Sequence, residues 1–182
     1  MKIISLKILS GSNQWSVSNQ RLIEMLIDLD VLDKYPTNKI CGFYTRLKWL
    51  MPSLYRHSCS NGYPGGFLQS VKTGISLASV VEHIARELQC LAGMNADFGI
   101  TKPTGKQGEY YIVFSYQQPA AGKYAAEAAV NVTSAILKED FYNIEKDLLQ
   151  LKLLRGDKYS EAVTASFPTE AVKPQYSMLQ AG

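Results

Sequence analysis

The chain has only three cysteines in 182 residues, Cys41, Cys59 and Cys90. They form no CxxC spacing and no even set, which excludes a disulfide framework and a zinc finger and points to a reducing, cytoplasmic compartment. No apolar run approaches the roughly 18 residues that a membrane helix needs, because Lys2, Lys7 and Ser10 interrupt the most apolar start. The N-terminal apolar residues alternate with polar ones, so no signal-peptide block is present either. GxxxxGK[ST] and GxGxxG are both missing, and with them any sign of a nucleotide-phosphate cradle. GxSxG is missing too, and His57 and His83 are the only histidines, so no serine-hydrolase set can be nominated by spacing. Acidic residues are lacking over a long stretch: none falls between Asp33 and Glu82, where Lys34, Lys39, Arg46, Lys48, Arg56 and Lys72 all lie. These cations are interleaved with Tyr35, Phe43, Tyr44, Trp49, Tyr55 and Tyr63. Such a block can face a carboxylate-bearing polymer or nucleic acid, or it can be a solvated face balanced by the acidic residues of the C-terminal third.

What is present suits one α+β domain. A chain of this length with 46% hydrophobic and 19% charged residues buries one sizeable core. Residues 2 to 9 place Ile4, Leu6 and Ile8 on one side, the period-2 pattern of a strand. Residues 21 to 33 fit both periods and are read as a strand. Gly42 to Tyr55 carries Phe43, Leu47, Leu50 and Leu54 at helical spacing, with Pro52 kinking or dividing the helix. Gly62, Pro64, Gly65 and Gly66 make a structural turn before a short helix near Phe67. Asp97 to Thr101 and Glu109 to Tyr116 flank a turn-rich loop and read as a β-hairpin near 97–116. Pro119 to Lys138 and Asn143 to Gly156 are amphipathic helices, the second with Ile144, Leu148, Leu151 and Leu154 on one face. Residues 157–182 read as a loosely ordered tail, so the expected domain is 1–156.

The clearest helix runs from Ser76 to Ala92, with Leu77, Val80, Val81, Ile84, Leu88 and Leu91 on its core side. Its other side collects Ser79, Glu82, His83, Arg86 and Cys90 within an arc of about 100°. Ser79, Glu82 and His83 stand at the spacing of an HxxEH zinc motif, in which two histidines hold a metal and a glutamate activates water. A serine hydroxyl is a poor zinc ligand, so a working site would need a replacement such as Glu87 or His57 brought in from elsewhere; this is a degenerate candidate and no metal is expected. The competing reading pairs Glu82 with Arg86, and His83 with Glu87, on an exposed helix face. Cys59 lies two residues from His57, and reads as buried structure rather than half of a thiolate pair.

Gly11-Ser12-Asn13-Gln14-Trp15, the run from His57 through Ser58, Cys59, Ser60 and Asn61 to Phe67, Val80 to Gln89, and Leu91-Ala92-Gly93 together carry a family resemblance. The chain resembles the N-terminal domain of cyanophycin synthetases over roughly residues 1 to 155. The resemblance implies a domain that holds a polymer with a poly-aspartate backbone and arginine on each side-chain carboxylate, and that packs within an oligomeric synthetase. It also implies following ATP-grasp and Mur-ligase-like domains, neither of which is in these residues. In some members a metal-dependent site built around HxxEH trims polymer into primers. Ser79 departs from that motif, and Ile100 stands where the family usually shows arginine.

The reading is therefore a non-catalytic polymer-binding or scaffolding domain without a cofactor. Glu82 and Glu87 are expected to receive guanidinium groups and Arg86 and Lys102 to meet carboxylates, with His83 in the same site. A homo-oligomer, or an apolar surface exposed on the isolated domain, is the expected assembly. A metal-dependent hydrolase that makes cyanophycin primers is the first alternative. A basic nucleic-acid-binding module is the second.

Overall fold

The alternation at the N-terminus forms a strand, with one offset the pattern does not reveal. In the computed structural model, which describes residues 1–15, 20–57 and 62–156, β1 spans Lys2–Leu9 and pairs antiparallel with β2, Leu22–Asp28. The register shifts between Ile3 and Ser5, so Ile4 is the extra residue of a bulge. Leu6 and Ile8 oppose Met25 and Ile23, on the core side as expected, and Ile3 opposes Ile27 in the place assigned to Ile4. Ile4 is instead 46% exposed, and Ile8 is 41% exposed at the sheet edge. β2 resolves the ambiguity of residues 21 to 33: the strand ends at Asp28 and a 3-10 turn takes Asp30–Lys34.

β3, Gly99–Pro103, and β4, Glu109–Ser115, form the expected hairpin, and β4 pairs with β2. The sheet has the order β1-β2-β4-β3 with every pairing antiparallel. On one face Ile23, Met25, Ile27, Ile112 and Phe114 are fully buried. Against it pack two long helices, α3, Leu77–Leu91, and α4, Pro119–Lys138, giving an α+β fold of two layers. α4 presents Ala125, Ala129, Val132 and Ile136, and its small side chains let it lie close to both neighbours. Between β2 and α3 lie α1, Phe43–Leu50, and α2, Gly66–Thr73. Pro52 divides the 42–55 segment as expected, starting a 3-10 turn, Pro52–Arg56.

The last helix, α5, Ile144–Arg155, is capped by Asn143, whose side chain accepts the Glu145 amide at 3.1 Å. Of its expected inner face Leu151 is fully buried, and Ile144, Leu148 and Leu154 are half-buried against the core. Asp147, which the hydrophobic pattern does not single out, is buried between α5 and α4 and accepts the Tyr124 hydroxyl at 2.8 Å. Burial and that bond push the Tyr124 phenol up to about 12. Arg155 closes the helix by donating to the Gly93 carbonyl, 3.0 Å away, just past the end of α3. Trp49 and Phe141 are 76% and 85% exposed, and Leu149 and Leu153 face outward from α5. The tail expected over 157–182 lies outside the described residues, as does Cys59. No described helix is long and apolar enough to cross a membrane.

Candidate functional site

The middle of the polar stripe of α3 is buried, which corrects the exposed-face reading there, while Ser79 and Arg86 are half-buried and Cys90 at its far end is exposed. Ser76 caps the helix by accepting the Ala78 amide at 3.2 Å, and the apolar side of α3 is pressed onto the sheet. That rotation turns the stripe toward β3 and α2, where Glu82, His83 and Glu87 are 5%, 7% and 3% exposed. Buried carboxylates must find donors. Glu82 accepts from the Thr101 hydroxyl at 2.9 Å and from Arg86 Nη1 at 3.3 Å. The expected Glu82–Arg86 pair thus forms, and Arg86 also donates to the Ala96 and Asp97 carbonyls at 3.0 and 2.8 Å.

The expected His83–Glu87 pair does not form. His83 donates from Nδ1 to the Ser79 carbonyl at 2.8 Å, and its ring stacks flat on Phe67 with centroids 3.9 Å apart. Glu87 takes a different histidine: His57 Nε2 lies 2.6 Å from one carboxylate oxygen and Arg56 Nη2 lies 3.4 Å from the other. The two imidazoles sit side by side, 5.7 Å between centroids. Burial pushes the Glu87 carboxyl up, but hydrogen bonds from His57 and Ser53 and the charges of His57 and Arg56 outweigh it and hold it below its ordinary value.

Ser79, Glu82, His83, Arg86 and Thr101 line an open cleft of about 340 Å³ between α3, α2 and β3. Lys102 does not join them. Thr101 points at Glu82, and by strand alternation Lys102 points to the opposite face, where its Nζ lies 5.7 Å from the Trp15 ring centroid. There Glu24, buried in β2, accepts from Trp15 Nε1 at 2.6 Å and from Gln14 Nε2 at 3.1 Å. The turn residues Gly62, Pro64, Gly65 and Gly66 lead into α2, with Gly62 and Gly65 in the left-handed region.

Thr101 and Phe67 belong to this cluster and were not nominated from sequence; His57, one of the two histidines available as bases or ligands, joins it as the partner of Glu87. The parity of Thr101 against Lys102 was the available signal for the first; nothing in the spacing announces Phe67. Gly99 also belongs: a methyl group there collides with Glu82 Oε1 and Arg86 Cδ. Gly99→Ala is expected to force the pinned Glu82–Arg86 pair aside and to cost about 1–3 kcal/mol in urea unfolding. An unchanged midpoint would show that the pair yields freely.

The described residues do not by themselves assemble a catalytic metal site. Among the described residues no three of His, Cys, Asp and Glu are placed to hold an ion, and the hydroxyl at Ser79 is a poor zinc ligand.

The fold and site together define an antiparallel-sheet α+β domain with a buried mixed-charge cluster under one sheet edge. The chain belongs to the family of cyanophycin synthase-like N-terminal domains, which matches residues 24–138. It is 41% identical over 174 residues to the cyanophycin synthetase of Geminocystis herdmanii and to that of a Synechocystis strain, and 40% identical over 176 residues to that of Trichormus variabilis. These alignments take in 94–95% of this chain and 20% of each relative, so the chain spans about a fifth of the length of the curated relatives it matches.

Proposed function

We propose that this domain holds an Asp/Arg polymer of the cyanophycin type for ligase domains that lie elsewhere, and that it does no chemistry itself. The observation that carries the proposal is the cleft in which Glu82 and Arg86 present opposite charges side by side in a domain of this family. The polymer offers both complementary groups, a guanidinium for Glu82 and a carboxylate for Arg86, while Glu87, taken by His57 and Arg56 and absent from the cleft lining, supports the site from behind. Lys102 belongs to the site only if the chain wraps the β3 edge to the outer face of the sheet. Contacts of this kind contribute on the order of 1 kcal/mol or less each, so affinity comes from many repeats of a repetitive ligand. The natural setting we propose is cytoplasmic, in an oligomer with ATP-grasp and Mur-ligase-like partners.

Co-sedimentation with insoluble cyanophycin tests this reading. Wild type is expected to pellet with the polymer and Glu82→Gln to pellet less, while metal analysis finds no stoichiometric zinc and the supernatant contains no cleavage products. Ser79→His probes the degenerate motif: zinc content is expected to rise if Ser79 is its single defect and to stay unchanged if the third ligand that a catalytic zinc takes is also missing. Failure of the wild type to pellet would overturn the binding role. Chelator-sensitive cleavage by the wild type would put a hydrolase in its place.

A further inference from the structure

A second surface, away from the α3 cleft, is built from the stretch that lacks acidic residues. Tyr44 and Lys48, one turn apart on α1, face the turn before α2 across a groove of about 310 Å³, with Tyr55, Tyr63 and Gly65 along its sides and Leu68 lining it as well. Tyr55 and Tyr63 are 58% and 51% exposed, while Leu68 is 3% exposed. The groove is shaped by the backbone rather than by chance side-chain positions. The Gly65 amide donates to the Tyr55 carbonyl at 2.6 Å, and the Gly66 amide to the Tyr63 carbonyl at 3.0 Å. Gly65 has φ +87°, and a Cβ there would sit 2.9 Å from the Tyr55 ring, so only glycine lets that ring lie against the turn. Lys48 is the single charged residue of the lining and makes no ion pair among the described residues, unlike Arg46 and Arg56, which pair with Glu139 and Glu87.

Three tyrosines and one uncommitted ammonium, with no carboxylate among them, suit a ligand that alternates planar cations with anions. We propose that this groove is a second polymer subsite, in which guanidinium planes stack on Tyr55 and Tyr63 and a free carboxylate of the same chain meets Lys48. The inference rests on the polymer reading above and adds to it a site at which aromatic faces, rather than carboxylates, receive the arginine groups. A repetitive zwitterionic chain supplies both groups in every repeat, so one molecule engages the groove and the α3 cleft together and gains by that bivalency.

The test is fluorescence anisotropy of a labelled soluble cyanophycin fragment against wild type, Tyr55→Leu/Tyr63→Leu, Lys48→Gln and, as the cleft control, Glu82→Gln. Urea midpoints of the groove variants are taken alongside; all three side chains are exposed, so these should match wild type. The double tyrosine variant is expected to bind about five- to tenfold more weakly, from roughly half a kcal/mol or more per stacked cation, and Lys48→Gln about two- to threefold more weakly. Unchanged affinity in both groove variants, with weakening in Glu82→Gln, would overturn the groove and leave the polymer reading standing. No binding by the wild type would overturn both. Tighter binding of a labelled single-stranded oligonucleotide than of the fragment, lost in Lys48→Gln, would assign the groove to nucleic acid instead.

Discussion

Phe67→Ala is expected to destabilise the domain by about 3–5 kcal/mol, the usual range for emptying a buried aromatic site. Phe67 is 1% exposed and lies between the core and the two histidines, stacked on His83 and 6.3 Å from the His57 centroid. Its removal takes apolar area out of the core and also takes away the flat partner that sets the His83 ring plane at the edge of the cleft. Urea unfolding measures the first effect, and the chemical shifts of the His83 ring report the second. A loss below about 1 kcal/mol would mean that α2 collapses onto the gap and that the stack does not determine the cleft.

Glu87→Ala is expected to cost about 3 kcal/mol near neutral pH, because it removes a buried carboxylate that accepts from His57 and Arg56. The penalty should depend on pH in a definite direction. The folded carboxyl titrates below its ordinary value of 4.5, so the unfolded chain takes up a proton first as pH falls. The stabilisation from Glu87 is therefore whole above that value and drains away as pH drops through the lower folded one. Unfolding curves of wild type and variant should converge in acid and diverge above about pH 5. A gap that stays constant from acid to neutral pH would show that the residue acts through packing alone.

The elements were legible where the chain obeys one periodicity. α3 shows it best, since its cap at Ser76, its apolar stripe and its stop at Gly93 all agree, and the hairpin around residues 97–116 follows from β-branched and aromatic density. The bulge at Ile4 was not legible, because a one-residue shift in pairing leaves the alternation of residue types nearly intact. The stripe was readable as a set of residues and misread as a surface. Helical periodicity says which side chains share a side, and it does not say whether another strand and helix will cover that side. β3 and α2 do cover it, so Glu87 finds His57 from thirty residues earlier instead of His83 one turn away. Lys102 lies apart from the cleft for the complementary reason: it adjoins Thr101 in sequence, and a strand sends neighbours to opposite faces.

The contact between Arg155 and the Gly93 carbonyl sets up a mechanical relation between two distant parts of the chain. Gly93 has φ +79°, and a side chain there would collide with the Arg155 guanidinium, so the joint is built for this fit alone. The joint ties the end of α5 to the terminus of α3, the helix whose earlier turns carry Glu82 and Arg86. The cleft residues of α3 and the glycine that seats Arg155 thus lie on one helix and just past its end, fixed at its start by the Ser76 cap and at its finish by α5.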